Sequence, residues 1–233
     1  MSLNGMMPSI WGPLAWSCIH ALAAEYDKRY MPSVVEPAKR LKLTQQHKVR
    51  LSNQVSRLNG EIVTLQWFNL LAWVLPCRPC RDSYSAFILE QTGLPHGAQA
   101  FAVELHNRVN AKLDKPVQAD VMAVRRRLAV WGTETLAHDL FALLFIMALN
   151  YNANTEPDKL RHYRDFLTTL ANVLALIGMD ELAAAVEDTV GFTSQMSLCG
   201  RLYEGYLGIP ACRAGGPPET LEMLCDRYDL CRS

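Results

Sequence analysis

The stretch Leu75-Pro76-Cys77-Arg78-Pro79-Cys80-Arg81-Asp82 stands where a long apolar run stops and an amphipathic helix starts. A Cys-x-x-Cys at such a junction narrows what the chain can fold into. In the first turn of a helix, two cysteines so spaced can close a small disulfide. The positive helix end, with Arg78 or Arg81, favours a thiolate there. The motif also serves as half of a zinc site, so alone it leaves both chemistries open. A thioredoxin-type setting would require strands around it, and no apolar/polar alternation bounded by turn residues accompanies the pair. The pair therefore belongs to an all-α protein.

Helical spacing accounts for the rest. Ser9 is a suitable N-cap and Pro13 a first-turn residue for a helix to about Tyr30, with Trp16, Ile19, Ala23 and Tyr26 at helical intervals and His20 on the Trp16 stripe. Pro32 and Pro37 interrupt the chain. Lys39 to Asn59 is polar and basic, an exposed helix or an insertion. Glu61 to Leu75 is a strongly apolar helix that Pro76 ends, and helices over Cys80 to Gln91 and Ala98 to Leu113 follow. Beyond Asp120 the pattern predicts helices over Val121 to Val130, Glu134 to Asn150, Asp158 to Ile177, Asp180 to Val190, Ser194 to Tyr206 and Thr220 to Leu230.

A chain of 233 residues can bury a core without disulfide staples, so size does not explain its seven cysteines: Cys18, Cys77, Cys80, Cys199, Cys212, Cys225 and Cys231. The 23 basic and 23 acidic side chains cancel, which argues against a nucleic-acid or anionic-membrane partner. Arg125-Arg126-Arg127 reads as a solvated helix face. The first residues lack a charged region followed by an apolar core, so no signal peptide is expected. The most apolar window, Leu136 to Leu149, is too short to span a membrane and carries His138 and Asp139. An intracellular chain is expected, where a cysteine pair of this kind is a working disulfide.

Three separated segments together carry a resemblance. Trp11-Gly12-Pro13-x-x-Trp16-x-x-x-His20, followed by Ala23-Ala24-x-Tyr26, resembles the first helix of the Erv/ALR family of FAD-linked sulfhydryl oxidases. Pro76-Cys77-x-x-Cys80 is similar to its redox centre, and His106-Asn107-Arg108-Val109-Asn110-Ala111-Lys112-Leu113-Asp114-Lys115-Pro116 to its flavin-binding signature. The similarity covers roughly Ile10 to Pro116. It implies an Erv/ALR-type four-helix bundle over residues 8–117 that binds FAD through Trp11, Trp16, His20, Tyr26, His106, Asn107, Val109, Asn110, Lys112 and Lys115. It also implies that Cys80 is the sulfur next to the flavin, while Cys77, the more exposed, exchanges with thiol-containing protein substrates. Electrons then pass through FAD to O2, giving hydrogen peroxide. The residue types suit such a cofactor, which needs aromatic walls, polar ring partners and cations for its diphosphate. His106, Asn110 and Leu113, spaced by four and three, share one helix face.

Two departures stand out. No cysteine lies between Cys80 and Cys199, so a second disulfide bracketing the flavin helix is absent. A mobile shuttle disulfide, which many members carry, has Cys225 and Cys231 as candidates, with a structural bridge or free thiols as the alternative.

Residues 118–233 resemble a degenerate copy of the first half. Trp131-Gly132 and the helix to Tyr151 are similar to Trp11-Gly12 to Tyr26, Phe166 to Ile177 to Trp67 to Leu75, and Leu198-Cys199-Gly200-Arg201-Leu202 to Leu105-His106-Asn107-Arg108-Val109. No cysteine stands around Leu176 to Asp180, and the histidine and asparagines of the signature are missing. The expectation is a pseudo-dimer within one chain, with a further homodimer left open, and the extra half resembles family forms of large DNA viruses. Two other functions compete: a zinc-binding interaction module using Cys77 and Cys80 with His96, Cys225 or Cys231, and a helical scaffold without flavin.

Overall fold

Helices α1 (Pro8–Tyr30), α2 (Leu43–Val74), α3 (Arg78–Ile88) and α4 (Ala98–Lys112) make the N-terminal region. Helices α5 (Thr133–Leu149), α6 (Lys159–Leu176), α7 (Asp180–Glu187) and α8 (Gln195–Gly208) make the C-terminal one, with a 3-10 turn over Asp188–Gly191. The computed structural model describes residues 8–30, 43–90, 93–94, 96–117, 123–124, 133–150 and 158–209, and among them there is no strand. None of these helices is long and apolar enough to cross a membrane. The expected helices over Val121 to Val130 and Thr220 to Leu230 lie outside the described residues, apart from helical Ala123 and Val124, as do Trp131-Gly132, Cys212, Cys225 and Cys231.

Several boundaries differ from the sequence reading. Helix α1 begins at Pro8, so Ser9 is inside it and does not cap it, and Pro13 lies within the helix. Proline has no amide hydrogen to leave unpaired, which makes Pro8 an apt first residue. The polar stretch before Asn59 and the apolar stretch after Glu61 are one helix of 32 residues. Gly60 lets it run on past α1, since a Cβ there would sit 3.3 Å from the Tyr26 ring and 3.4 Å from that of Tyr30. Helix α3 starts at Arg78, two residues earlier than expected, because Cys77 is its N-cap.

The helices pack in a pattern that repeats. Helix α1 lies on α4 and α2 on α3; in the other region α5 lies on α8 and α6 on α7. Between regions the contacts are α1 with α5 and α2 with α6. One apolar core runs through both, with Phe68, Phe141, Phe145 and Phe166 fully buried. Two polar features cross the seam: the Tyr30 hydroxyl donates to the Leu176 carbonyl at 3.3 Å, and the Trp73 indole stacks on the His162 ring.

Two contacts set the helices that later matter. Buried Asp27 of α1 accepts the Ala98 and Gln99 amide hydrogens of α4 at 2.8 and 3.0 Å. It thus serves as a cap that the chain itself does not supply locally, and deleting such a cap costs about 1 kcal/mol or more. Gly97 before it has φ 92°, and a Cβ there would meet the Asp27 carboxylate at 2.8 Å. Across the bundle, the buried Tyr84 hydroxyl donates to the Phe68 carbonyl at 2.9 Å and ties α3 to α2.

Candidate functional site

The redox pair sits at the corner where α2 gives way to α3. Cys77 and Cys80 are joined in a disulfide with their Cα atoms 5.1 Å apart. Pro76 cannot continue α2, and Arg81 clasps the corner by donating to the Leu75 carbonyl at 2.8 Å. The Cys80 amide points back at the Cys77 sulfur, 3.3 Å away. Both sulfurs therefore lie at the positive end of α3, which stabilises a thiolate when the bond opens.

The pair lines a cavity of about 930 Å³ enclosed by α1, α3 and α4. That is near the upper end of the range, roughly 300–1,000 Å³, found for small-molecule and cofactor pockets. Helix α1 contributes Trp11, Trp16 and His20; α3 contributes Cys80, Ser83, Tyr84 and Phe87; α4 contributes His106, Val109, Asn110 and Lys112. The Trp16 and His106 rings are stacked at 4.0 Å between centroids, 5° from parallel. His20 Nε2 and His106 Nδ1 are 3.0 Å apart, so one donates and the other accepts.

At the far end of α4 the chain turns back over the cavity. Asp114 takes a left-handed φ of 52°, the Lys115 amide bonds the Asn110 carbonyl at 2.9 Å, and the buried Asn110 side chain donates to the Pro116 carbonyl at 2.9 Å. This brings Lys115 to the wall beside Lys112, whose ammonium bonds the Ser83 hydroxyl on α3. The wall thus combines aromatic faces, two imidazoles, an amide and two cations, the donor set that an aromatic ring carrying a diphosphate calls for. The residues present fit FAD.

Of the residues singled out from the sequence, the structure brings Trp11, Trp16, His20, Cys77, Cys80, His106, Val109, Asn110, Lys112 and Lys115 to this one cavity. Tyr26 and Asn107 are not on its wall. Tyr26 stands about 9 Å of helix rise beyond His20, buried against Tyr30 with ring centroids 4.9 Å apart. Asn107 is one residue, and so about 100° of helix, from His106. The exposures of the cysteines are also the reverse of those expected: Cys77 is 8 % exposed, while Cys80 is only half-buried. The Cys80 amide covers part of the Cys77 sulfur, and both cysteines line the cavity.

Sequence reading missed Ser83, Tyr84 and Phe87, which lie three, four and seven residues after Cys80 on the same face of α3, an interval pattern that would have revealed them. Burial keeps the Tyr84 phenol well above its usual pKa, so it stays a neutral donor. Two free cysteines, Cys18 and Cys199, are buried. Burial pushes the Cys199 thiol up to about 11 and raises that of Cys18, with the Asp139 carboxylate adding to the latter. Neither is an active nucleophile at neutral pH. Among the described residues no group of three or more His, Cys, Asp or Glu side chains could hold a metal ion.

Residues 14–128 match the family model described as the Erv1 / Alr family. No curated protein and no solved structure matches the chain.

Proposed function

From the premise that residues 14–128 are an Erv/ALR-family domain carrying a closely spaced cysteine pair, we propose that the protein is an FAD-dependent sulfhydryl oxidase forming disulfides in protein thiols. The observation that carries the reading is the opening of the Cys77–Cys80 disulfide onto a cavity walled by Trp11, Trp16, His20, His106 and Asn110, with Lys112 and Lys115 at one end. Thiol oxidation needs these two parts in contact, and a scaffold needs neither.

A substrate thiolate attacks Cys77, the Cys77–Cys80 bond breaks, and Cys80 leaves as a thiolate eased by the positive end of α3. A second substrate thiolate then attacks the substrate sulfur of the mixed disulfide and releases Cys77. The substrate has lost two electrons and two protons to form its disulfide, and the enzyme pair holds the electrons as two thiol groups. FAD, held by Trp11, Trp16, His20, His106, Val109, Asn110, Lys112 and Lys115, would supply the two-electron acceptor between this dithiol and O2, the overall products being the re-formed Cys77–Cys80 disulfide and hydrogen peroxide. The chain's own part is to hold Cys80 against the cavity, to stack aromatic groups along it and to set cations where a diphosphate would lie.

The C-terminal region fits a non-catalytic copy, with residues 8–117 as the flavin domain and 118–233 as its pseudo-partner. What supports this is the packing: α1 meets its counterpart α5, and α2 its counterpart α6, as helices lying near a two-fold axis do.

Oxygen consumption and peroxide release with a reduced dithiol test the reading. The expected result is one peroxide per disulfide formed, and a loss of at least about a thousandfold in Cys77→Ser or Cys80→Ser with flavin still bound. Undiminished turnover in either variant would remove the pair from the mechanism.

A further inference from the structure

Helices α3 and α4 both wall the cavity, but each is packed elsewhere, α3 on α2 and α4 on α1. Side chains bridge the two at two places. Near Cys80 the Lys112 ammonium bonds the Ser83 hydroxyl. Just beyond the end of α3, Arg108 Nη1 donates to Glu90 Oε2 at 2.6 Å. The other arm of the same guanidinium, Nη2, donates to Glu104 one turn back on α4 at 3.0 Å. Arg108 is thus held from both helices at once.

The group so held covers a ring. Arg108 Cζ lies over the Phe87 ring, 5.9 Å from its centroid. Phe87 lines the cavity and Arg108 does not, so the guanidinium rests on the ring from outside the wall. Such a hold matters at this position, because Phe87 stands one residue before α3 ends at Ile88, and helix ends fray. An exposed ion pair alone adds little, and both glutamates are more than half exposed. A planar fork fixed at both arms does more, since it keeps the guanidinium in one orientation over the aromatic face.

We propose that Arg108 is a positioning residue, locked by Glu90 and Glu104, that pins the Phe87 ring as a fixed wall of the cavity and so slows the escape of the flavin held there. The inference rests on the FAD reading of the cavity. It adds to that reading a residue that acts on retention through Phe87, without standing on the cavity wall itself.

Release of FAD from the full-length protein, followed by the rise in flavin fluorescence after dilution, tests the clamp. Arg108→Ala is expected to release FAD about fivefold faster than wild type, and Phe87→Leu about as fast, in keeping with the loss of one aromatic or cation–aromatic contact. The double variant should be no faster than Phe87→Leu alone, because Arg108 acts through the ring. Arg108→Lys, which keeps the charge but not the fork, should fall between wild type and Arg108→Ala. Glu90→Gln separates a clamp from plain charge. It makes the surface more positive, which would slow the release of a diphosphate, whereas a cut clamp should speed release about twofold. Slower or unchanged release in Glu90→Gln, or additive effects of Arg108→Ala and Phe87→Leu, overturns the proposal. Hydrogen exchange gives a readout that needs no flavin: in Arg108→Ala and Glu90→Gln the amides of residues 85–90 should exchange at least about threefold faster, while those of α6 keep their wild-type rates. Equal exchange in these variants overturns the clamp and leaves the oxidase reading standing. A wild type that takes up no FAD overturns that reading and, with it, the retention proposed here.

Discussion

The corner formed by α1, α3 and α4 and the corner formed by α5, α7 and α8 share the packing of their first helix on their last. Yet among the described residues the first opens onto a cavity of about 930 Å³ lined by all three helices, while the groove of about 590 Å³ at the second is lined by α7, α8 and their neighbours and by no residue of α5. In the register that sets Leu198 against Leu105, Cys199 takes the place of His106 and Gly205 that of Lys112. Lys112 holds its place on the cavity wall through Ser83. Gly205 does the opposite: a Cβ there would meet the Ala185 carbonyl at 3.0 Å and the Phe141 ring at 3.2 Å, so α8 has closed onto α5 and α7. Even the helix starts diverge, since the Cys77 sulfur caps α3 while Met179, at the start of α7, makes no side-chain cap bond. On the proposed reading of the C-terminal region as a non-catalytic copy, more than reactive residues would separate the two corners, because one small residue lets α8 approach α5 and α7.

The sharpest way to break this comparison is at the open corner. His106→Ala removes the ring stacked on Trp16 and bonded to His20, and Asn110→Ala removes the bond that folds Lys115 and Pro116 back over the cavity. Each should weaken flavin retention by about tenfold or more, given the worth of a buried polar contact. The flavin-to-protein absorbance ratio after gel filtration reads this out, and full flavin content in both variants would mean that α4 does not hold the cofactor.

A smaller effect is expected from exchanging the two matched residues. Gly205→Leu overpacks the shut corner and should lower unfolding free energy by about 1–3 kcal/mol. Lys112→Gly at the open corner should lower it by no more than about 1 kcal/mol, the helix-propensity difference, while reducing flavin content. Urea titrations decide; equal stability losses would show that the corners are packed alike.

The smallest effect concerns the thiol that stands where His106 does. With its pKa pushed up to about 11 by burial, Cys199 carries almost no thiolate below pH 9. A thiol-alkylating reagent should leave it unmodified in the native protein at pH 8 and modify it rapidly in urea, as peptide mass mapping would report. Rapid native labelling would contradict a closed corner.

How far the sequence speaks depends on whether a feature is local. The α4 face was legible because His106, Val109, Asn110 and Lys112 lie within two turns, and the redox corner because Pro76 and the cysteines punctuate it. Asp27 was not legible, as it caps a helix that begins 71 residues later and no neighbouring residue announces it. Tyr26 lies off the cavity wall for a related reason, since membership of a motif does not say which side of a helix a residue faces. The polar composition before Asn59 fits an exposed helix or an insertion equally well, and only the structure shows it as the first part of one long helix. The closed corner needed distances, because a glycine within a helix carries no local sign of a ring pressed against it.

The most direct test of the account is the number of FAD molecules per chain in the purified full-length protein, from the absorbance of released flavin against quantitative amino-acid analysis. A cavity lined by α1, α3 and α4 at one corner, and α8 pressed onto α5 at the other, predict one FAD per chain, reduced by dithiothreitol without oxygen and restored by air. Two FAD per chain would contradict the closure of the second corner, and none, in protein refolded with excess FAD, would contradict the assignment of the first.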